Sequence, residues 1–383
     1  MGGGALPGST RLGLALSGGG FRAAVFHLGV LRYLAEEKLL EQVTQISTVS
    51  GGTLLTGAVF SAAGGKWPSS SEFLQSVYPS IRDMLVSEDL FSFRALGPGG
   101  ILRQNTRILF RRANVLAWLI RKRWCISLRL SDLPKNPVWH INTTCLETGK
   151  NWRFTRDSMG DWQFGRHYSP DVALADAMAA SAAVPYAIGA LKLALPKNGW
   201  WQTDPATKTP TRKVEPRHAS VRLWDGGAYE NMALEPLYKP VEGLQNCDFL
   251  MCSDASAPLA APSGILRSLL DGKLASPRLF DIASDQIRSL RSRMLMKSIT
   301  QGEINGSLFR LGTPARDFEK ASGNLPGLTD EECAFCLNYP TNLTKVAPDH
   351  FDLMAQHGQD VARMTTRTFE NAIRDGSAST PAP

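Results

Sequence analysis

The chain has 383 residues, 43% of them hydrophobic, enough for one large α/β domain or two small ones with a sizeable core. No stretch of about 18 or more apolar residues occurs, and the Gly-rich start, Met1 to Thr10, lacks the basic-then-apolar pattern of a secretory signal; neither a membrane span nor export is expected, and the cytoplasmic side is the expected location. The net charge of +7 is concentrated: Phe91 to Ser131 holds nine of the 42 Arg and Lys residues and none of the 35 acids, a distribution that draws an anionic surface, either phospholipid headgroups or nucleic acid.

In chain order, LGLALS (12–17) is a short apolar strand, followed by Gly18, Gly19 and Gly20 and by a helical pattern through Val25, Leu28, Leu31 and Leu34. VTQISTV (43–49) is a second strand, rich in β-branched residues, followed by Ser50, Gly51, Gly52 and the apolar helical run LLTGAVFSAA. Two consecutive strand-turn-helix units imply parallel strands joined by right-handed crossovers, with ligands at the carboxyl ends of the strands. A mostly helical insertion is expected from about 69 to 130. Further strands are predicted at VWHINTTC (138–145), WRFT (152–155), VRLW (221–224), DFLMCS (248–253) and SLFRL (307–311), with long helices at 279–300 and 351–374. Residues 1–10 are expected to be flexible, 11–375 to form one elaborated α/β domain, and the small, polar tail 376–383 to be disordered.

Three motifs carry chemistry. Thr48-Val49-Ser50-Gly51-Gly52 sets a serine between strand and helix, as a nucleophile elbow requires; the competing reading is a helix N-cap. Gly51 and Gly52 permit close backbone approach beside it. Gly18-Gly19-Gly20-Phe21-Arg22 offers backbone N–H groups and a positive charge to a developing oxyanion. Gly18-x-Gly20-x-x-Ala23 also fits a dinucleotide fingerprint, but Ser50 stands where the ribose-binding acid would be, and a P-loop would need a Gly-Lys-Ser/Thr ending. Trp224-Asp225-Gly226-Gly227 puts an acid at a strand end, able to accept a serine proton, or to form an ordinary Asp-Gly turn.

As a set and in this order, GGGFR, TVSGG and DGG resemble the patatin-like phospholipase family. The resemblance extends to Ala180-Ser181-Ala182-Ala183-Val184-Pro185 and to INTTCLETGKNWRF (141–154), covering most of 12–257. It implies a three-layer α/β/α fold with a mostly parallel central sheet, and a lipid acyl hydrolase of phospholipase A type. By the same resemblance Ser50 and Asp225 form a catalytic dyad, and Gly18, Gly19, Gly20 and Arg22 form an oxyanion hole. Thr48 departs from the family, which commonly has glycine there; a β-branched residue narrows the elbow. The alternatives are a soluble-substrate esterase or thioesterase, and a non-catalytic lipid-binding protein that retains the fold.

The acyl-transfer mechanism needs no cofactor and no metal, and Cys333-x-x-Cys336, lacking a second pair at zinc spacing, reads as two ordinary buried thiols. His350 and His357 follow Asp225 in the order of a Ser-Asp-His triad, but His357 falls on the C-terminal helix, where a packing or surface role is expected. The basic stretch contains an amphipathic pattern, with Ile101, Ile108 and Val115 on one face and Arg103, Arg107 and Arg111 on another. Such a helix either lies against an anionic membrane with Trp118 and Trp124 at headgroup level, or packs its apolar stripe on the domain. No nucleic-acid motif accompanies the charge, so phospholipid or another acyl ester is the expected partner.

Overall fold

The computed structural model describes residues 10–91, 111–204, 207, 209–259, 276–318 and 327–374. The first strand, β1 (Leu12–Leu16), is buried along its whole length. Its leucines pack into the larger core with residues of α1 (Gly20–Glu36) and α2 (Gly51–Ala62), and Ala15 joins a smaller core with Leu250, Cys252 and Leu295. A strand buried on both faces is what a parallel sheet with helices on each side requires. The remaining strands are β2 (Val43–Thr48), β3 (Val138–Cys145), β4 (Asn151–Phe154), β5 (Ser158–Asp161), β6 (Gly165–Tyr168), β7 (Leu191–Ala194), β8 (Trp200–Thr203), β9 (Pro210–Val214), β10 (Ser220–Asp225), the short ribbon of β11 (Tyr238–Lys239) and β12 (Gly243–Leu244), β13 (Phe249–Asp254) and β14 (Gly306–Arg310).

The strands β14, β13, β1, β2 and β3 lie side by side and parallel. This is the α/β sheet that the strand-turn-helix spacing predicts. Beyond β3 the sheet continues antiparallel through β4, β5, β6, β8 and β9, an extension of which only β4 is visible in the sequence patterns.

The site is set by how β3 is shared. β2 runs parallel to β3 as far as the pair Thr48–Ile141, and β10 runs antiparallel to β3 and ends at the pair Asp225–Thr143. The two strands therefore approach each other head-on, and Asn142 of β3 stands at the gap between them. Ser50 follows one strand end and Asp225 forms the other.

The helix Pro348–Arg374 lies along α1 at close range, because Gly29 and Gly358 meet backbone where a β-carbon would stand: Ala355 O at 1.9 Å and Phe26 O at 2.0 Å. In the region of the expected helical insertion, the chain is helical at Ser70–Glu72, in a wider turn at Phe73–Val77, and at Tyr78–Ser87 and Arg112–Arg123. Ile101, Ile108, Arg103 and Arg107 lie outside the described residues, which leave out 92–110 of the basic segment. The described part packs on the domain: Val115, Leu116, Leu119 and Ile120 are core residues, and Trp124 is buried with its ring stacked on Phe21 at 5.7 Å. Trp124 therefore does not sit at a headgroup level; the apolar stripe of this helix is a core stripe. Among the described residues no helix is long and apolar enough to cross a membrane.

Candidate active site

Ser50 sits at the tip of a tight turn with φ 51° and ψ −115°, a left-handed backbone that a non-glycine residue adopts only under constraint. Its side chain makes no cap bond to α2, so the N-cap reading fails. The turn is held from the first glycine loop: the Val49 amide donates to Leu16 O at 3.1 Å, and the Gly52 amide to Ser17 O at 3.2 Å. A β-carbon on Gly51 would lie 2.2 Å from Gly20 O, so only glycine lets the two turns touch.

Asp225 faces Ser50. Its Oδ1 accepts the Gly227 amide at 2.7 Å, and the Ser50 hydroxyl is its other hydrogen-bonding neighbour. Serine and aspartate are 6% and 5% exposed, so the pair is nearly dry. Burial penalises the carboxylate and raises its pKa from 3.8 to about 7, against the smaller downward pull of the two hydrogen bonds. An acid poised there is half-ionised near neutral pH, the range in which a general base works best.

The glycine loop divides its amides. Gly18 donates to Asn231 O at 3.1 Å and Phe21 to Asn342 O at 3.0 Å. Among the described residues the amides of Gly19, Gly20 and Gly51 have no such partner. Gly18 is thus a spacer, since a β-carbon would strike the Asn231 side chain at 2.4 Å and the Ser50 β-carbon at 3.0 Å. Arg22 is also differently placed from the expectation that it adds charge at the oxyanion. Its guanidinium is buried and donates to the carbonyls of Tyr339 (3.0 Å), Leu337 (3.5 Å) and Ala255 (3.1 Å), and desolvation lowers its pKa to about 10. It ties the start of α1 to Leu337 and Tyr339 and to Ala255, the residue after β13.

The histidines stand elsewhere. His357 accepts the Gly312 amide at 2.9 Å, has Cys333 Sγ 3.7 Å from its other nitrogen, and lies against Phe26; burial lowers its pKa to about 4. His350 is at the surface beside Asp349 and Phe335. Neither contacts Ser50 or Asp225, so the histidine triad fails. Cys333 and Cys336 are free and buried, and among the described residues no cluster of three metal-ligating side chains occurs.

Four residues at the site escaped the sequence patterns as actors. Ser181 accepts the Ser50 amide at 3.0 Å; Asn142 donates from Nδ2 to Thr48 O at 3.0 Å; Thr53 joins Thr48 to Ser181; and Asn231 holds Gly18. Ser181 lies in the Ala-Ser-Ala-Ala-Val-Pro block already singled out, which was the available signal.

The sequence pattern of the family described as patatin-like phospholipase matches residues 14–238, which contain the glycine loop, the elbow and Asp225. The chain belongs to the patatin-like phospholipase family. Its α/β fold resembles the human GIVD cytosolic phospholipase A2, with a TM-score of 0.59 at 14% identity over 97% of this chain and 63% of that one. The same human protein in complex with a methyl γ-linolenyl fluorophosphonate inhibitor and terbium chloride aligns with a TM-score of 0.53 at 12% identity, over 96% of this chain and 59% of that one. This patatin-like chain therefore spans about three fifths of the length of the solved structures it resembles. No curated protein sequence matches it.

Proposed function

We propose that this patatin-like protein is a serine acyl hydrolase of phospholipase A type, with Ser50 as nucleophile and Asp225 as its base. The observation that carries the reading is the head-on meeting of β2 and β10, which leaves a strained serine facing a buried carboxylate of raised pKa, beside unpartnered glycine amides. Asp225 takes the hydroxyl proton as Ser50 Oγ attacks the ester carbonyl. The amides of Gly19 and Gly20, with that of Gly51, receive the oxyanion. Asp225 then returns the proton to the leaving alcohol, and water releases the fatty acid from the acyl-enzyme. No step requires a metal or cofactor. We propose a phospholipid substrate, reached from the cytoplasmic side by peripheral contact with an anionic membrane.

The test is labelling by a fluorophosphonate probe together with fatty-acid release from mixed anionic and zwitterionic vesicles. Labelling and release that are both lost in Ser50→Ala support the hydrolase. Labelling with hydrolysis of soluble esters but no release from vesicles moves the assignment to an esterase or thioesterase, and absence of both leaves a lipid-binding protein.

A further inference from the structure

The hydroxyl of Ser181 makes three hydrogen bonds, and their directions are fixed by chemistry. Asn142 O can only accept, so Ser181 donates to it at 2.8 Å. Ser181 must then accept from Thr53 at 2.8 Å and from the Ser50 amide at 3.0 Å, which fills both lone pairs. Thr53, having given its proton to Ser181, accepts from Thr48 at 2.7 Å, and Thr48 accepts the Trp139 indole N–H at 2.9 Å. The result is a one-way chain, Trp139 to Thr48 to Thr53 to Ser181 to Asn142, in which every hydroxyl is buried and gives its proton to the next member.

Two residues after Ser181, Ala183 O accepts the Asp225 amide at 2.9 Å, and Thr144 Oγ1 donates to Asp225 O at 2.9 Å. The last turn of the helix Leu174–Ser181 and the residues after it thus grip the backbone of both dyad members, on either side of Asn142. A β-carbon on Gly226 would lie 2.6 Å from Asn142 O, so the aspartate arm also rests on that carbonyl.

We infer that Ser181 is a positioning residue, which holds the strained Ser50 backbone at the distance from Asp225 that proton transfer needs, and that Thr48 is part of this device. The hydroxyl of Thr48 links the Trp139 indole to Thr53 in the buried chain, so the residue that departs from the family's glycine carries a function that glycine lacks. This inference rests on the acyl-hydrolase reading above.

The test compares Ser181→Ala, Thr53→Val, Thr53→Ser and Thr48→Gly, each confirmed folded, on a soluble p-nitrophenyl ester, with amide hydrogen exchange at Ser50 as a readout independent of activity. Ser181→Ala is expected to lower kcat by ~10- to 100-fold with KM within about twofold, as a displacement of ~1 Å at a reacting group does. Thr53→Val should lower kcat less, Thr53→Ser should restore it, and Thr48→Gly should lose activity although it installs the family's usual residue. Exchange at the Ser50 amide should quicken in Ser181→Ala. Unchanged kcat in Ser181→Ala, unchanged Ser50 exchange, or Thr48→Gly as active as wild type would overturn the positioning role. A wild type that neither labels nor hydrolyses, with Ser50 exchange still controlled by Ser181, would instead overturn the hydrolase reading and leave Ser181 only a structural tie.

Discussion

Replacing Asp225 by Asn tests the base and its surroundings together. The amide keeps an oxygen for the Gly227 N–H, so the turn survives, while the proton acceptor and the buried negative charge both disappear. Because burial lifts the carboxyl from 3.8 to about 7, the folded chain binds a proton between those values that the unfolded chain releases. The contribution of Asp225 to stability is therefore fully present below about pH 4 and is lost as the pH rises through 7. About three units at ~1.4 kcal/mol per unit set a ceiling near 4 kcal/mol. Asparagine carries no such penalty, so at about pH 8.5 the variant should exceed the wild type in stability by roughly 2 to 4 kcal/mol, the gap closing as the pH falls toward 4. Activity moves the other way: losing a positioned general base costs ~10²- to 10⁴-fold in kcat. The wild-type kcat/KM should rise with pH through about 7, and the residual rate of the variant should show no such step. Urea midpoints and initial rates across this pH range decide the matter. A variant destabilised equally at every pH, or one that keeps more than a tenth of the activity, would refute the assignment of Asp225 as a buried base.

Gly51→Ala forces a methyl against the Gly20 backbone, which cannot swing aside; we expect a cost of ~1 to 3 kcal/mol and at least tenfold slower fluorophosphonate labelling, and labelling within twofold of wild type would contradict the contact. Burial lowers the pKa of His27 and His357 to about 4 and of His140 to about 3, so each ring contributes stability above its unfolded value that is lost as the pH falls from about 6.5 toward 4, or toward 3 for His140. His357→Gln should shallow this acid slope by about one proton and leave kcat unchanged; a large loss of kcat in folded His357→Gln would reopen the triad. Arg22→Lys should not replace Arg22, since one ammonium cannot reach three carbonyls arranged for a planar fork; we expect a loss of roughly 2 kcal/mol in urea unfolding, and equal stability would show that the fork is unimportant.

Much of the site is local and therefore legible in the chain itself. A β-branched strand, a serine, two glycines and an apolar helix already define an elbow, and an apolar strand followed by three glycines defines its neighbour, because strand periodicity, glycine backbone freedom and helix patterning act within a dozen residues. The two long C-terminal helices and the exact span Val138–Cys145 follow from the same local patterns. Only the tertiary structure decided that Asp225 arrives on an antiparallel strand meeting β2 end to end, since strand pairing joins residues far apart in sequence and depends on the whole sheet. It also decided that Gly18 and Arg22 bind carbonyls and that the Thr48 hydroxyl, which a local pattern reads as a crowded elbow, joins a buried chain. A hydrogen-bond partner is fixed by where the backbone brings two groups together, and for Trp139, Thr48, Thr53 and Ser181 that proximity arises only when α2, β2, β3 and the helix Leu174–Ser181 pack around one point.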